Sequence, residues 1–163
     1  MSTDSAALER ELATREPTPR LGVEHQRLDA FFGKWKSEGR TEAGASGPAE
    51  DMTSEHSYEW LPGRFFLLHR WEGRIGDHDS KGLEIIGFEA ASQTYASHFF
   101  DSDGWSRIYR GTVRDRVWTF TGERERCTVT FSGDGNTMNL HWEQTHDGAA
   151  WRSLCHVQAA RVG

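Results

Sequence analysis

At Phe31-Phe32-Gly33-Lys34-Trp35 the periodicity of this chain changes. Before it, Leu21, His25, Leu28, Phe31 and Phe32 recur at spacings of three and four, which predicts a short amphipathic helix over Leu21 to Phe32. After it, the chain runs to Val157 in short alternating segments of period two, separated by turns. Strands are predicted at Trp35 to Thr41, Thr53 to Trp60, Phe65 to Gly73, Gly82 to Glu89, Thr94 to Asp101, Trp105 to Val113, Arg116 to Gly122, Arg126 to Ser132, Thr137 to Thr145 and Ala150 to Ala159.

The joints hold residues that tolerate positive φ or preset a turn: Leu61-Pro62-Gly63, Asp101-Ser102-Asp103-Gly104, Gly133-Asp134-Gly135-Asn136 and His146-Asp147-Gly148. Glu42 to Met52, rich in Gly, Ala and Ser, reads as a longer flexible loop. Connections this short force sequential strands to pair antiparallel. The predicted fold is therefore all-β, a single closed up-and-down barrel of about ten strands, preceded by a short helix that plugs one end.

Both faces of several strands carry large groups. Phe65, Leu67, His69 and Trp71 share one side, and Phe66, Leu68 and Arg70 the other, so alternation alone does not say which side is internal. A barrel that meets a second copy buries part of its outer face, and a homodimer fits this pattern.

The bulk properties narrow the function. A chain of 163 residues with 36% hydrophobic and 27% charged residues forms one domain with an ample core. We read residues 1–20, with Pro17 and Pro19, as a flexible arm and 21–163 as the barrel domain. No apolar run approaches the roughly 18 to 20 residues of a membrane helix, and Met1 to Arg20 lacks the apolar centre of a signal peptide, so a cytoplasmic location is expected. A net charge of -6 argues against nucleic acid, and Arg107, Arg110, Arg114 and Arg116 stand among Asp101, Asp103 and Asp115. Cys127 and Cys155 have no paired spacing and read as reduced structural thiols.

Gly33-Lys34-Trp35 after a short helix resembles the Gly-x-Trp opening of the calycin superfamily, which includes lipocalins and fatty-acid-binding proteins. With His25-x-x-Leu28, Trp60-Leu61-Pro62-Gly63-Arg64-Phe65-Phe66-Leu67, Ile86-Gly87-Phe88, Phe100-Asp101-Ser102 and Asp147-Gly148-x-x-Trp151, the chain from Leu21 to Val162 resembles a bacterial family of calycin-like barrels of unknown function. That resemblance implies a barrel with a small-molecule cavity and transfers no catalytic residue. A looser resemblance, to the nitrobindin haem barrels, implies an iron-ligating histidine in the last strand at His156, although Ser37-Glu38-Gly39 replaces their Gly-x-Gly.

Eight histidines are present, and His56, His69, His98, His141 and His156 fall within strands. A histidine facing a cavity can bond a ligand or carry a proton, whereas most strand histidines face solvent or bond a neighbouring carbonyl. His69 or His98 could meet Glu55, Glu59 or Glu84 across a cavity, where burial raises a carboxyl's pKa. Metal signatures (HxH, HExxH, paired cysteines) are missing, and Asp101-x-Asp103-Gly104 reads as a turn without the further ligands of a calcium loop. No GxSxG elbow or Cys-His signature appears, and Cys155 and His156 point to opposite sides of one strand. No metal and no cofactor is expected, haem at His156 being the alternative.

Aromatic residues make up 12% of the chain. His56, Tyr58 and Trp60 share one strand face, as do Trp105, Arg107 and Tyr109; such rings suit the walls of a pocket, although any single tryptophan is more often core. Arg107 has two readings. Internal, its guanidinium would need an anionic partner such as a ligand carboxylate or enolate; external, the favoured reading, it is a surface arginine. The sequence thus points to binding or carriage of a small apolar or planar molecule, with Tyr58, Trp60, Trp105 and Tyr109 as walls, Arg107 beside them, and His69 or His98 as polar anchors. Cofactor-free isomerase, cyclase or lyase chemistry through a histidine is the alternative.

Overall fold

The computed structural model describes residues 17–44 and 47–163. A one-turn helix α1 (Val23–Arg27) passes into a 3-10 turn (Leu28–Ala30), and ten strands follow: β1 (Gly33–Thr41), β2 (Asp51–Trp60), β3 (Phe66–Ile75), β4 (His78–Glu89), β5 (Thr94–Asp101), β6 (Ser106–Arg114), β7 (Val117–Thr121), β8 (Glu125–Phe131), β9 (Thr137–Thr145) and β10 (Trp151–Arg161). Each strand pairs antiparallel with the next, and β10 closes on β1 in the register Trp35↔Arg161 to Thr41↔Cys155. Closure leaves no sheet edge exposed. The strands begin and end within a few residues of the predicted bounds, β7 being the shortest. The arm expected over residues 1–20 lies, up to residue 16, outside the described residues.

The helical segment is shorter than the stripe predicted, because extended Gly22 (φ -137°) caps it and the chain leaves it at Phe31. His25, Leu28 and Phe31 are buried, whereas Leu21 and Phe32, just outside the helical turns, are about half exposed. The three buried residues close one end of the barrel. Phe31 sets its ring against Tyr58, Trp118 and Phe131 at centroid distances of 5.6, 5.2 and 5.1 Å, and its carbonyl accepts a hydrogen bond from Trp35 Nε1 at 2.8 Å. Burying side chains such as Leu28 and Phe31 contributes about 1.5–3 kcal/mol each. From β10, the Arg161 guanidinium lies over the Trp35 ring at 4.2 Å and donates to the carbonyls of Ala30, Phe32 and Gly135, tying the last strand to the plug.

Register assigns the faces that alternation left open. Tyr58, His69, Glu84, Phe99 and Arg107 are direct partners across β2 to β6, so their side chains emerge on one side of the sheet. Tyr58 and His69 are buried, which makes that side the interior. The opposite row, Leu68, Ile85, His98 and Ile108, lies outside. At the end of β5 the turn is held by Asp101 Oδ1, which accepts from the backbone N–H of Asp103 at 3.0 Å and of Trp105 at 2.9 Å.

Candidate functional site

Ten strands enclose more space than these side chains fill, leaving a cavity of about 410 Å³. Its lining runs from Phe31 at the plugged end to Thr41, Met52, Ile75 and Leu154 at the opposite strand ends. Rings dominate the middle, where Trp71 stacks on Phe99 (4.6 Å, 20°) and Tyr109 sets its edge on Trp142 (5.7 Å, 72°). A bulge between Ser153 and Cys155 breaks the alternation of β10, so that Leu154 and Cys155 both face inward.

One wall is polar. His69 Nδ1 lies 2.8 Å from Glu84 Oε1, His69 Nε2 lies 2.9 Å from His56 Nδ1, and His56 Nε2 lies 2.9 Å from both Ser37 Oγ and Ser54 Oγ. Ser97, fully buried, donates its hydroxyl to Glu84 Oε2. Burial opposes ionisation of Glu84, but the hydrogen bond and charge of His69 and the hydrogen bond of Ser97 outweigh it and hold the carboxyl below its ordinary range. An ionised carboxylate only accepts, so His69 Nδ1 carries a proton. His56, lowered to about 3 by burial and then by His69, is neutral, with one nitrogen donating and the other accepting. Both histidines are therefore engaged at both nitrogens. The Tyr58 ring lies flat on His69 at 3.9 Å and 5°.

Nearer the open end, Arg107 Nε lies 3.5 Å from Glu125 Oε2 and Arg107 Nη1 lies 3.8 Å from Asp101 Oδ2. Tyr109 donates its hydroxyl to Glu125 at 2.8 Å, and burial together with that carboxylate raises the phenol's pKa. Cys127 and Cys155 are free thiols on the lining; burial pushes Cys127 well up and Cys155 to about 11.

Of the residues singled out from sequence, Tyr58, His69, Arg107 and Tyr109 line the cavity. The favoured external reading of Arg107 is corrected: it stands in the inward row opposite Phe99, with protein carboxylates as its anionic partners. Trp60 shares the parity of Tyr58 but lies at the end of β2, where its Nε1 donates to Asp29 at 2.8 Å beside the plug. Trp105 precedes β6 and is 60% exposed. His98 belongs to the outer row, so it does not reach the cavity. Of the three carboxylates named for a histidine, Glu55 and Glu59 are exposed and Glu84 is the one at His69.

His156 lies on the outer face of β10, stacked on His141 (4.1 Å, 7°) with Arg40 opposite. This exposed polar setting is not the apolar slot a haem needs, and the residues there do not fit that group. Among the described residues, no group of three or more His, Cys, Asp or Glu side chains is placed to hold a metal ion. His56, Ser97, Trp71 and Phe99 were not picked out as ligand contacts from sequence, though His56 and Trp71 each share strand parity with a residue that was.

A profile of the family described as "Protein of unknown function (DUF1579)" matches residues 20–160. The chain belongs to this family. Among solved structures, this DUF1579 chain is similar to Rv2717c from M. tuberculosis, at 12% identity and a TM-score of 0.67, over 88% of this chain and 100% of that one. It is also similar to the S-type phycobiliprotein lyase CPES from Guillardia theta, at 12% identity and a TM-score of 0.53, over 88% and 94% of the two chains. At such identities the likeness is one of fold. A search of curated proteins finds no match. Among the described residues, no helix is long and apolar enough to cross a membrane.

Proposed function

We propose that this DUF1579 barrel binds a small, largely apolar or planar molecule in its interior, as a cytoplasmic binding or carrier protein. The observation that carries the reading is the cavity of about 410 Å³, plugged at one end by Phe31 and walled by Trp71, Phe99, Tyr109 and Trp142. That volume lies in the range of small-molecule sites. Saturable 1:1 fluorescence enhancement of Nile red, lost in Leu140→Trp, which fills the cavity from β9, is the expected result. No enhancement by Nile red in the wild type, together with no small-molecule adduct in native mass spectrometry, would sink the reading.

The isomerase, cyclase or lyase alternative draws on the His69–Glu84 couple. Carriage is favoured because His69 Nε2 is taken by His56 and is not free toward the cavity. The homodimer reading rests on the outer row Leu68, Ile85 and Ile108, next to exposed Phe100, which a second copy would cover. Light scattering should then give twice the chain mass for the wild type and one chain mass for Ile108→Lys, and a monomeric wild type rejects it.

A further inference from the structure

Tyr58 differs from the other polar groups of the interior. The residue is 4% exposed, and its hydroxyl makes no hydrogen bond to any described residue. Among the described residues no fully enclosed side-chain nitrogen or oxygen lacks a partner, so the Tyr58 oxygen keeps accessible surface, and for a residue this buried on the lining that surface belongs to the cavity. Glu84 on β4 and Cys127 on β8 line the same cavity as Tyr58. Burial first, and then the Glu84 charge, raise its pKa well above the ordinary value, so it keeps its proton and is a donor.

The charges around it restrict what it can meet. Glu84 is an anion satisfied by His69 and Ser97. His69 is spent on Glu84 and His56, and the two arginines on the lining are paired, Arg107 with Glu125 and Asp101 and Arg74 with Asp79. A ligand carboxylate would find no uncommitted cation there and would face Glu84. A neutral acceptor oxygen would complete the unpartnered phenol without a buried charge.

Resting on the cavity reading above, we infer that the Tyr58 hydroxyl is the hydrogen-bond donor that fixes the ligand, and that the ligand is an uncharged planar molecule bearing a carbonyl or quinone-type oxygen. The ring stack with His69 holds the phenol in place, so the donor is preorganised.

Three probes of one skeleton test this by quenching of tryptophan fluorescence: 9-fluorenone, fluorene, and fluorene-9-carboxylate. The wild type should bind fluorenone about tenfold tighter than fluorene, the size of one neutral hydrogen bond, and the carboxylate weakest. Tyr58→Phe should erase the preference for fluorenone and leave fluorene affinity unchanged, which also reports an intact cavity. Equal binding of fluorenone and fluorene to the wild type, a preference that survives Tyr58→Phe, or tightest binding of the carboxylate overturns the assignment while leaving the cavity reading standing. If none of the three binds while Nile red does, the assignment falls and the cavity reading stands; both fall only when Nile red and native mass spectrometry are negative as well. Should Tyr58→Phe fail to fold, the order of the three wild-type affinities decides by itself.

Discussion

His69 Nδ1 stands 2.8 Å from Glu84 Oε1, on neighbouring strands in direct register and inside the barrel. A carboxylate held in such a place stays ionised because its donors outweigh the cost of burial. The same contact fixes which nitrogen of His69 carries the proton and, through His56, the ordering of the hydrogen bonds along this wall.

Acid should destabilise the fold in two stages. His56 is lowered from 6.5 to about 3, so below pH 6.5 the unfolded chain takes up a proton that the folded chain refuses, and stability falls with pH. From pH 6.5 to 5 the loss should be about 1–2 kcal/mol, before Glu84, also lowered, adds its own loss as pH falls through the carboxylate range. Urea midpoints at pH 7.5, 6.5, 5.5 and 4.5 check this, and His56→Asn should flatten the upper part of the curve.

Removing the donor should reverse the slope contributed by Glu84. In His69→Leu the carboxylate remains enclosed with Ser97 alone, so its folded pKa rises above the unfolded value, and the stability it contributes is present at low pH and lost as pH rises. The expected penalty at pH 7.5 is about 3 kcal/mol, smaller at pH 5. Glu84→Gln in the same background should recover part of it at pH 7.5, and a penalty independent of pH would contradict the account.

Phe31→Ala should cost about 3–5 kcal/mol, since it removes a ring buried against four others and leaves a void at the plugged end. Dissociation of Nile red should also quicken, because the cavity would then open toward the plug. Chemical denaturation and stopped-flow release measure the two effects.

Gly82 on β4 lies under the Trp71 indole, which a Cβ there would overlap. Gly82→Ala should displace Trp71 from its stack on Phe99, costing about 1–3 kcal/mol and changing near-ultraviolet circular dichroism. An unchanged aromatic spectrum would show that the stack does not depend on this approach.

Both thiols should react slowly with a disulfide reagent at pH 8, since burial raises their pKa values, Cys155 to about 11. Unfolding in urea should release both at once. Nile red in the cavity should slow Cys155, which lines it, and equal rates with and without the dye would place the dye elsewhere.

The change of period at Phe31 to Trp35, the ten alternating segments and the turn residues between them determine strand number, antiparallel pairing and the plug, because these follow from neighbours along the chain. What alternation determines is which residues share a side, as with Tyr58 and His56 or Tyr109 and Arg107. Which side is the interior was settled by closure, since β10 must find β1, and the register then carries one inward row from Tyr58 through His69, Glu84 and Phe99 to Arg107. For that reason His98, attractive by residue type, lies outside the cavity, while Arg107 lies inside with Glu125 from β8; Trp105 has the parity of Arg107 but precedes β6 and stays exposed. The partnerships of His69 with Glu84 and His56, and the unpartnered Tyr58 hydroxyl, belong to the tertiary structure alone: they join residues from separate strands, and no local pattern encodes a distance between them.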